Sequence, residues 1–185
     1  IKLTGRSLAD ENLMEYILEQ LSSSAVPPGK ICFEITHGDA ARRLESAARL
    51  ARTLREFGCR FSISKFGSEG TDEDVLGELV VDYIKIDGRF VQGMLNSEND
   101  LSVVHSSTHL SHAMGIRAVA EHVEDIRAIE QLETLGVDFV QGMAVEPPRY
   151  LIELGDAPEE RTGERTQDQA DNGLLADAAE TGWEA

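Results

Sequence analysis

The sequence predicts an α/β fold of parallel β/α units, a TIM-like β/α barrel that is incomplete in this stretch. Three observations point there. Short apolar segments alternate with segments of helical periodicity, the pattern of parallel strands joined by crossover helices. The segments at 31–35, 61–63 and 116–120 are mostly apolar, as strands covered on both faces should be. Polar residues recur at the C-terminal ends of successive strands, where such a barrel assembles its site, and no glycine-rich phosphate loop follows the first strand, as a doubly wound fold would favour. A closed barrel takes eight strands and six are legible, so the first one or two β/α units are expected to lie before Ile1.

Residues 1–3 read as a clipped strand. Asp10 is placed as the N-cap of a helix whose Leu13, Ile17 and Leu21 share a face. SSSAVPPGK at 22–30 is a turn, and KICFEIT at 30–36 is a strand ending in Glu34 and Thr36. Asp39 is placed as the cap of a single helix that turns Leu44, Ala48, Ala51 and Leu54 inward and stops at Gly58. Strands at 60–64 and 83–86 follow, separated by a loop with Gly67 and Gly70 and a short helix over 72–79. A helix from about 100 to 114 stops at Gly115, and 116–120 is a strand ending in Glu121. Residues 125–135 form a helix closed by Gly136, and 139–140 a last strand ending in Gln141.

A chain of 185 residues is long enough to bury a real core. Its net charge of −17 argues against a nucleic-acid or anionic-membrane surface, both of which require a positive field. No apolar run approaches the ~20 residues that span a bilayer. Cys32 and Cys59 read as reduced core thiols of a cytoplasmic protein. From Glu153 onward ten acidic residues face two basic ones, with no apolar periodicity before Leu174, Leu175 and Trp183. The expected division is a partial barrel domain at 1–151 and an acidic, disordered tail at 152–185. His105, His109 and His112 stand at helical spacing, the first pair at the i, i+4 distance found in zinc sites. The segment lacks the glutamate of a His-Glu-x-x-His motif, and these residues are read as exposed or interface histidines on the outer ring of helices.

On barrel geometry Lys2, Glu34, Ser64, Lys65, Lys85, Asp87, Glu121 and Gln141 face one pocket at the C-terminal rim. FEIT at 33–36, SKFG at 64–67, VDYIKIDGRFV at 81–91, AEHVE at 120–124 and GVDFVQG at 136–142 stand in the order and spacing of the EAL domain. The chain resembles that family of β/α-barrel phosphodiesterases, which hydrolyse cyclic di-GMP and are often fused behind a GGDEF domain. The resemblance implies magnesium or manganese held by oxygen ligands, activating a water and stabilising phosphorane charge. Within it, Glu34 and Glu121 match metal-binding glutamates. Lys85 matches the lysine that orients the water and neutralises charge, Glu124 the second glutamate of Ala-Glu-Gly-Val-Glu, and Gln141 the Gln-Gly pair.

The departures from the family are substantial. Ser64 and Lys65 stand where it has two aspartates, Lys2 where it has an asparagine, His37 for a glutamate, His122 for a glycine, and Glu69-Gly70 for Gly-Tyr. An ammonium has no acceptor lone pair. At a few ångströms it repels a dication by several kcal/mol, on the order expected at an effective dielectric of ~20. Lys2 and Lys65 are therefore expected to pair with Glu34 and Glu121 in place of metals.

The expected function is a catalytically degenerate EAL domain in bacterial cyclic di-GMP signalling, a metal-independent receptor or regulatory module, with the question of residual enzyme activity left open. Lys2, Lys65, Lys85, Asp87, Glu121 and Gln141 would contact the nucleotide. Glu34 and Glu121 would be a vestigial metal pair, and Lys85 and Glu124 vestigial catalytic groups. No cofactor is expected; Mg2+ or Mn2+ belongs to an active enzyme only. The alternatives are a protein–protein scaffold that has lost the nucleotide, and an active phosphodiesterase using His37 and His122 as substitute ligands. The implied partners are cyclic di-GMP, an upstream GGDEF or sensory domain in the same chain, and a second copy meeting it through the helix at 100–114 and the loop after Gly70. Nucleic-acid polymers and membrane insertion are not expected.

Overall fold

The apolar segments form strands, and the strands assemble in chain order. In a computed structural model, which describes residues 1–148 apart from residue 11 and residues 69–72, one parallel sheet has the order β1-β2-β3-β4-β5. Its strands are β1 (Cys32–Thr36), β2 (Arg60–Phe66), β3 (Tyr83–Ile86), β4 (Arg117–Ala120) and β5 (Phe139–Val140). Helices carry the chain between them: α1 (Leu13–Ser23), α2 (His37–Arg42), α3 (Leu44–Glu56), α4 (Glu73–Glu78), α5 (Gly88–Gly93), α6 (Glu98–Ala113) and α7 (Ile126–Thr134). Ile1–Glu146 make one compact unit, an incomplete β/α barrel. The acidic tail expected at 152–185 lies outside the described residues, as do Glu69, Gly70 and Asp72 of the loop before α4. Among the described residues no helix is long and apolar enough to cross a membrane.

Strand alternation divides the sheet into two unlike faces. Phe33, Ile35, Phe61, Ile63 and Ile84 turn toward the helices and pack with Ala47, Ala48, Ala51 and Leu54 of α3 in a sealed layer. Ile86 and Ala120 continue it against Val104 of α6 and Ala128 and Leu132 of α7. The opposite face, the interior of a closed barrel, carries Cys32, Glu34, Thr36, Ser62, Ser64, Tyr83, Lys85 and Arg117. Cys32, Thr36, Tyr83 and Arg117 there are only half-buried. Cys32 and Cys59 are free thiols, each pushed above the ordinary range by burial.

Several elements differ from the sequence reading. Residues 1–3 make a single parallel bridge, Lys2 to Glu34, held by Leu3 N–H to the Glu34 carbonyl at 2.8 Å and Glu34 N–H to the Ile1 carbonyl at 2.9 Å. Asp10 accepts the Asn12 N–H at 2.9 Å in a local turn ahead of α1, and the N-cap position falls to Asn12. The single helix expected after Asp39 is two helices. Thr36 caps α2 by accepting the Asp39 N–H at 3.2 Å, and Arg43 (φ −138°) breaks the helical path before α3. His37, Gly38 and Ala40 are buried by α2, so this turn is fixed to the end of β1 while α3 runs back along the sheet. A short helix, α5, begins directly after β3, capped by Asp87. The inward face of α1, the cap Asp125 and the stops at Gly58 (φ +87°) and Gly136 (φ +76°) lie where the sequence puts them.

Candidate functional site: a lysine bridging two glutamates

Three charged side chains meet at the C-terminal end of the sheet. Glu34 lies on β1, Lys85 on β3, and Glu121 directly follows β4; Lys85 therefore projects between the two carboxylates. Alternation along β3 sets this up, because Ile84 and Ile86 are fully buried against helices and Tyr83 and Lys85 must turn to the other face. The Lys85 ammonium donates to Glu34 Oε2 at 2.9 Å and lies 2.7 Å from Glu121 Oε1. All three side chains are about nine-tenths buried, with relative exposures of 13%, 10% and 9% for Lys85, Glu34 and Glu121.

Burial and pairing act against each other here. Burial pushes the Glu34 carboxyl up, but the hydrogen bond and charge of Lys85, with smaller help from Ser64 and Lys2, outweigh it and hold Glu34 below the ordinary carboxylate range. Burial likewise works to lower the Lys85 ammonium, and Glu121 and then Glu34 overcome it, so Lys85 titrates above the ordinary lysine value. Glu34 and Lys85 therefore face each other as carboxylate and ammonium at neutral pH.

Lys2 reaches Glu34 Oε1 at 3.4 Å with its side chain 76% exposed, a surface pair on the outer side of the triad. Lys65 is different from the sequence expectation. Its side chain is exposed and makes no ion pair among the described residues. The backbone explains this: the β2–β3 register shifts between Ile63 and Phe66, and Lys65 adopts φ +56°. The extra residue re-aims the side chain out of the strand's alternation. The pairing expected of Lys2 and Lys65 thus falls to Lys2 with Glu34, and to Lys85 with both glutamates.

The other sequence-selected residues spread around this centre. Ser64 is buried and its hydroxyl donates to the Ile35 carbonyl at 3.5 Å. Asp87 accepts the Arg89 N–H at 3.0 Å and caps α5. Gln141 is exposed and holds its place through backbone bonds, donating to the Ala120 carbonyl at 2.9 Å and accepting the Val123 N–H at 3.1 Å. Gly142 next to it lies so close to the Val123 backbone that no Cβ fits there. Glu124 is exposed. His37 is buried with its ring edge-on to Phe66, centroids 5.4 Å apart. His122 is exposed, adopts φ +57°, and lays its ring over Gly88. Among the described residues no three of His, Cys, Asp or Glu converge as a metal-binding group, so His37 and His122 do not complete a ligand set with Glu34 and Glu121.

Sequence reasoning passed over one feature on the same face. The Arg117 guanidinium stands 5.2 Å from the Tyr83 ring and 5.7 Å from the Phe139 ring, and the two rings meet edge-on at 5.9 Å. Tyr83 and Arg117, paired in register, lie one same-face step before Lys85 along the strands and two before Glu121, while Phe139 is level with Lys85. The signal was the alternation of Arg117, Val119 and Glu121 in RAVAE, which puts all three on one face.

The chain matches the EAL domain family over residues 1–148. It is 36% identical over 165 residues to the cyclic di-GMP phosphodiesterase PdeB of Shewanella oneidensis, a match covering 89% of this chain and 19% of that protein. It is 34% identical over 136 residues to the cyclic di-GMP phosphodiesterase RocR of Pseudomonas aeruginosa, covering 73% of this chain and 34% of that protein. The chain thus spans only a minor part of the length of these relatives. Among solved structures, the FimX EAL domain of Pseudomonas aeruginosa bound to c-di-GMP superposes with a TM-score of 0.74 at 28% identity, covering 80% of this chain and 60% of that one. The EAL domain of Mycobacterium smegmatis DcpA does so with a TM-score of 0.76 at 28% identity, covering 83% and 69%.

Proposed function

The chain belongs to the EAL domain family, and from that premise we propose that it serves cyclic di-GMP signalling as a metal-independent receptor that binds the dinucleotide without hydrolysing it. The observation that carries this reading is the position of Lys85, 2.9 Å from Glu34 and 2.7 Å from Glu121. In an EAL hydrolase a pair of divalent ions needs several oxygen donors around each ion. Here both retained glutamates are already engaged by one ammonium, Lys2 and Lys65 bring further positive charge, and Ser64 offers only a neutral hydroxyl where a dication needs carboxylates. The donor set does not fit two divalent ions, and no step of the proposed function runs through them.

What the residues do instead is electrostatic. Lys2 and Lys65, both exposed at the rim, present ammonium groups to the two phosphates of the ligand, while Lys85 keeps Glu34 and Glu121 from repelling them. Asp87, Glu121 and Gln141 offer acceptors and an amide to the bases and sugars around the same rim. Glu124, Glu34 and Lys85 are then remnants of a catalytic set. The chain would work as the receiving segment of a longer cytoplasmic signalling protein, behind a GGDEF or sensory region.

Calorimetry with cyclic di-GMP, with and without magnesium or manganese, followed by an assay for the linear dinucleotide, tests the proposal. Metal-independent binding with no product is the expected result. Turnover on adding metal would restore the hydrolase reading. Absence of binding in either condition would leave a protein–protein scaffold.

A further inference from the structure

Helix α6 carries an imidazole face that the pocket does not use. His105, His109 and His112 are all exposed on it. His112 is committed, its Nε2 lying 2.8 Å from Asp138 Oδ2, an oxygen that also accepts the Ala118 N–H at 2.7 Å. His105 and His109 make no side-chain hydrogen bond or ion pair among the described residues. They are one turn apart on an unbroken helix of 16 residues, the spacing at which neighbouring side chains stand over one another.

We propose that His105 and His109 bind zinc, and that the ion joins two copies of this chain, each supplying its pair of imidazoles. Neutral imidazole suits zinc, a borderline-soft ion that takes four ligands in a tetrahedron. One chain supplies two, and no third His, Cys, Asp or Glu converges on them among the described residues. A two-fold axis through the ion brings the identical pair from a second copy and completes the shell. The surroundings favour this partner over others. Residues 101–116 contain no Asp, Glu, Lys or Arg, so no ammonium repels the ion. Along residues 101–116, too, two chains of charge −17 approach with no carboxylate of that stretch between them, and Glu98 on the same face stands two turns before His105. The long-range field of so acidic a chain also draws a dication toward it. The site lies away from the Glu34–Lys85–Glu121 triad: Asp138, which holds His112, precedes β5 at the opposite end of the strands, so the proposal stands apart from the reading of the pocket.

The test is a zinc chloride titration of the tag-free chain, first stripped with EDTA, followed by calorimetry and by light scattering for mass. The expected result is one zinc per two chains, a doubling of mass and its reversal by EDTA. His105→Ala and His109→Ala are each expected to weaken zinc binding by about tenfold or more, a loss at least as large as that from an outer-shell partner, and to abolish the doubling. His112→Gln, which keeps a donor toward Asp138, is expected to retain both. All three positions are exposed, and circular dichroism checks that the variants fold. A mass unchanged by zinc, or zinc binding altered less than twofold by both alanine variants, overturns the proposal. So does an equal loss in His112→Gln.

Discussion

Lys85 and Lys65 occupy the ends of neighbouring strands, and they have opposite fates. On β3 the alternation is regular, so Lys85 enters the layer shared by Glu34 and Glu121 and becomes nine-tenths buried between them. On β2 the register slips between Ile63 and Phe66, Lys65 takes a left-handed backbone, and its ammonium goes to solvent. Two lysines at the rim of one pocket are thus a structural charge and a surface charge. The lesson is that backbone parity, more than residue type, decides whether a cation neutralises a buried carboxylate.

The sharpest way to break this comparison is to remove each lysine in turn. Lys85→Met strips Glu121 of its ammonium partner and leaves Glu34 only the exposed Lys2, and is expected to cost about 3–5 kcal/mol in urea unfolding. Adding Glu34→Leu and Glu121→Leu to it should recover most of the loss, since a well-packed apolar trio needs no counter-charge. If Lys85→Met costs no more than a surface lysine, the triad does not hold the fold.

Acid and base sharpen the same contrast. Glu34 titrates below its ordinary 4.5 when folded, so its contribution is present above that pH and is lost as pH falls through the depressed value. Lys85 titrates above its ordinary 10.5, so its contribution is present below that pH and is lost as pH rises through the raised value. Urea midpoints against pH should therefore fall more steeply at both extremes for the native chain than for Lys85→Met. Parallel curves would contradict the coupling.

The backbone gives a smaller, opposite effect. Lys65→Gly relieves a left-handed φ at no cost in packing and is expected to stabilise the chain by about 1 kcal/mol. At the rim, Lys2→Ala should cost at most about 1 kcal/mol, since its partner contact is made from an exposed position. That variant should weaken cyclic di-GMP binding all the same, read by calorimetry.

Much of this was legible in the sequence, for physical reasons that can be named. Strands at 32–36, 60–66 and 83–86 announce themselves because their helix-ward residues must be apolar, and α3 and α7 because Ala48, Ala51, Leu54, Ala128 and Leu132 repeat at helical spacing. The convergence of Glu34, Lys85 and Glu121 followed from counting strand ends. Three things were hidden. Arg43 has no breaking residue beside it; the kink arises because α2 is pinned to β1 by the Thr36 cap and burial of His37. The bulge at Lys65 depends on how β2 meets β3, a tertiary matter that its own residues do not encode. The reduction of residues 1–3 to one bridge, Lys2 to Glu34, is likewise set by a tertiary contact with β1 that those three residues do not encode.

A manganese titration followed by electron paramagnetic resonance tests the central claim most directly, with Glu34→Gln/Glu121→Gln as the locating variant. With Lys85 already seated between the glutamates, manganese should bind no more tightly to the native chain than to that variant. Two tightly held ions that disappear when both glutamates are neutralised would contradict it, because the ammonium would then have yielded its place to metal.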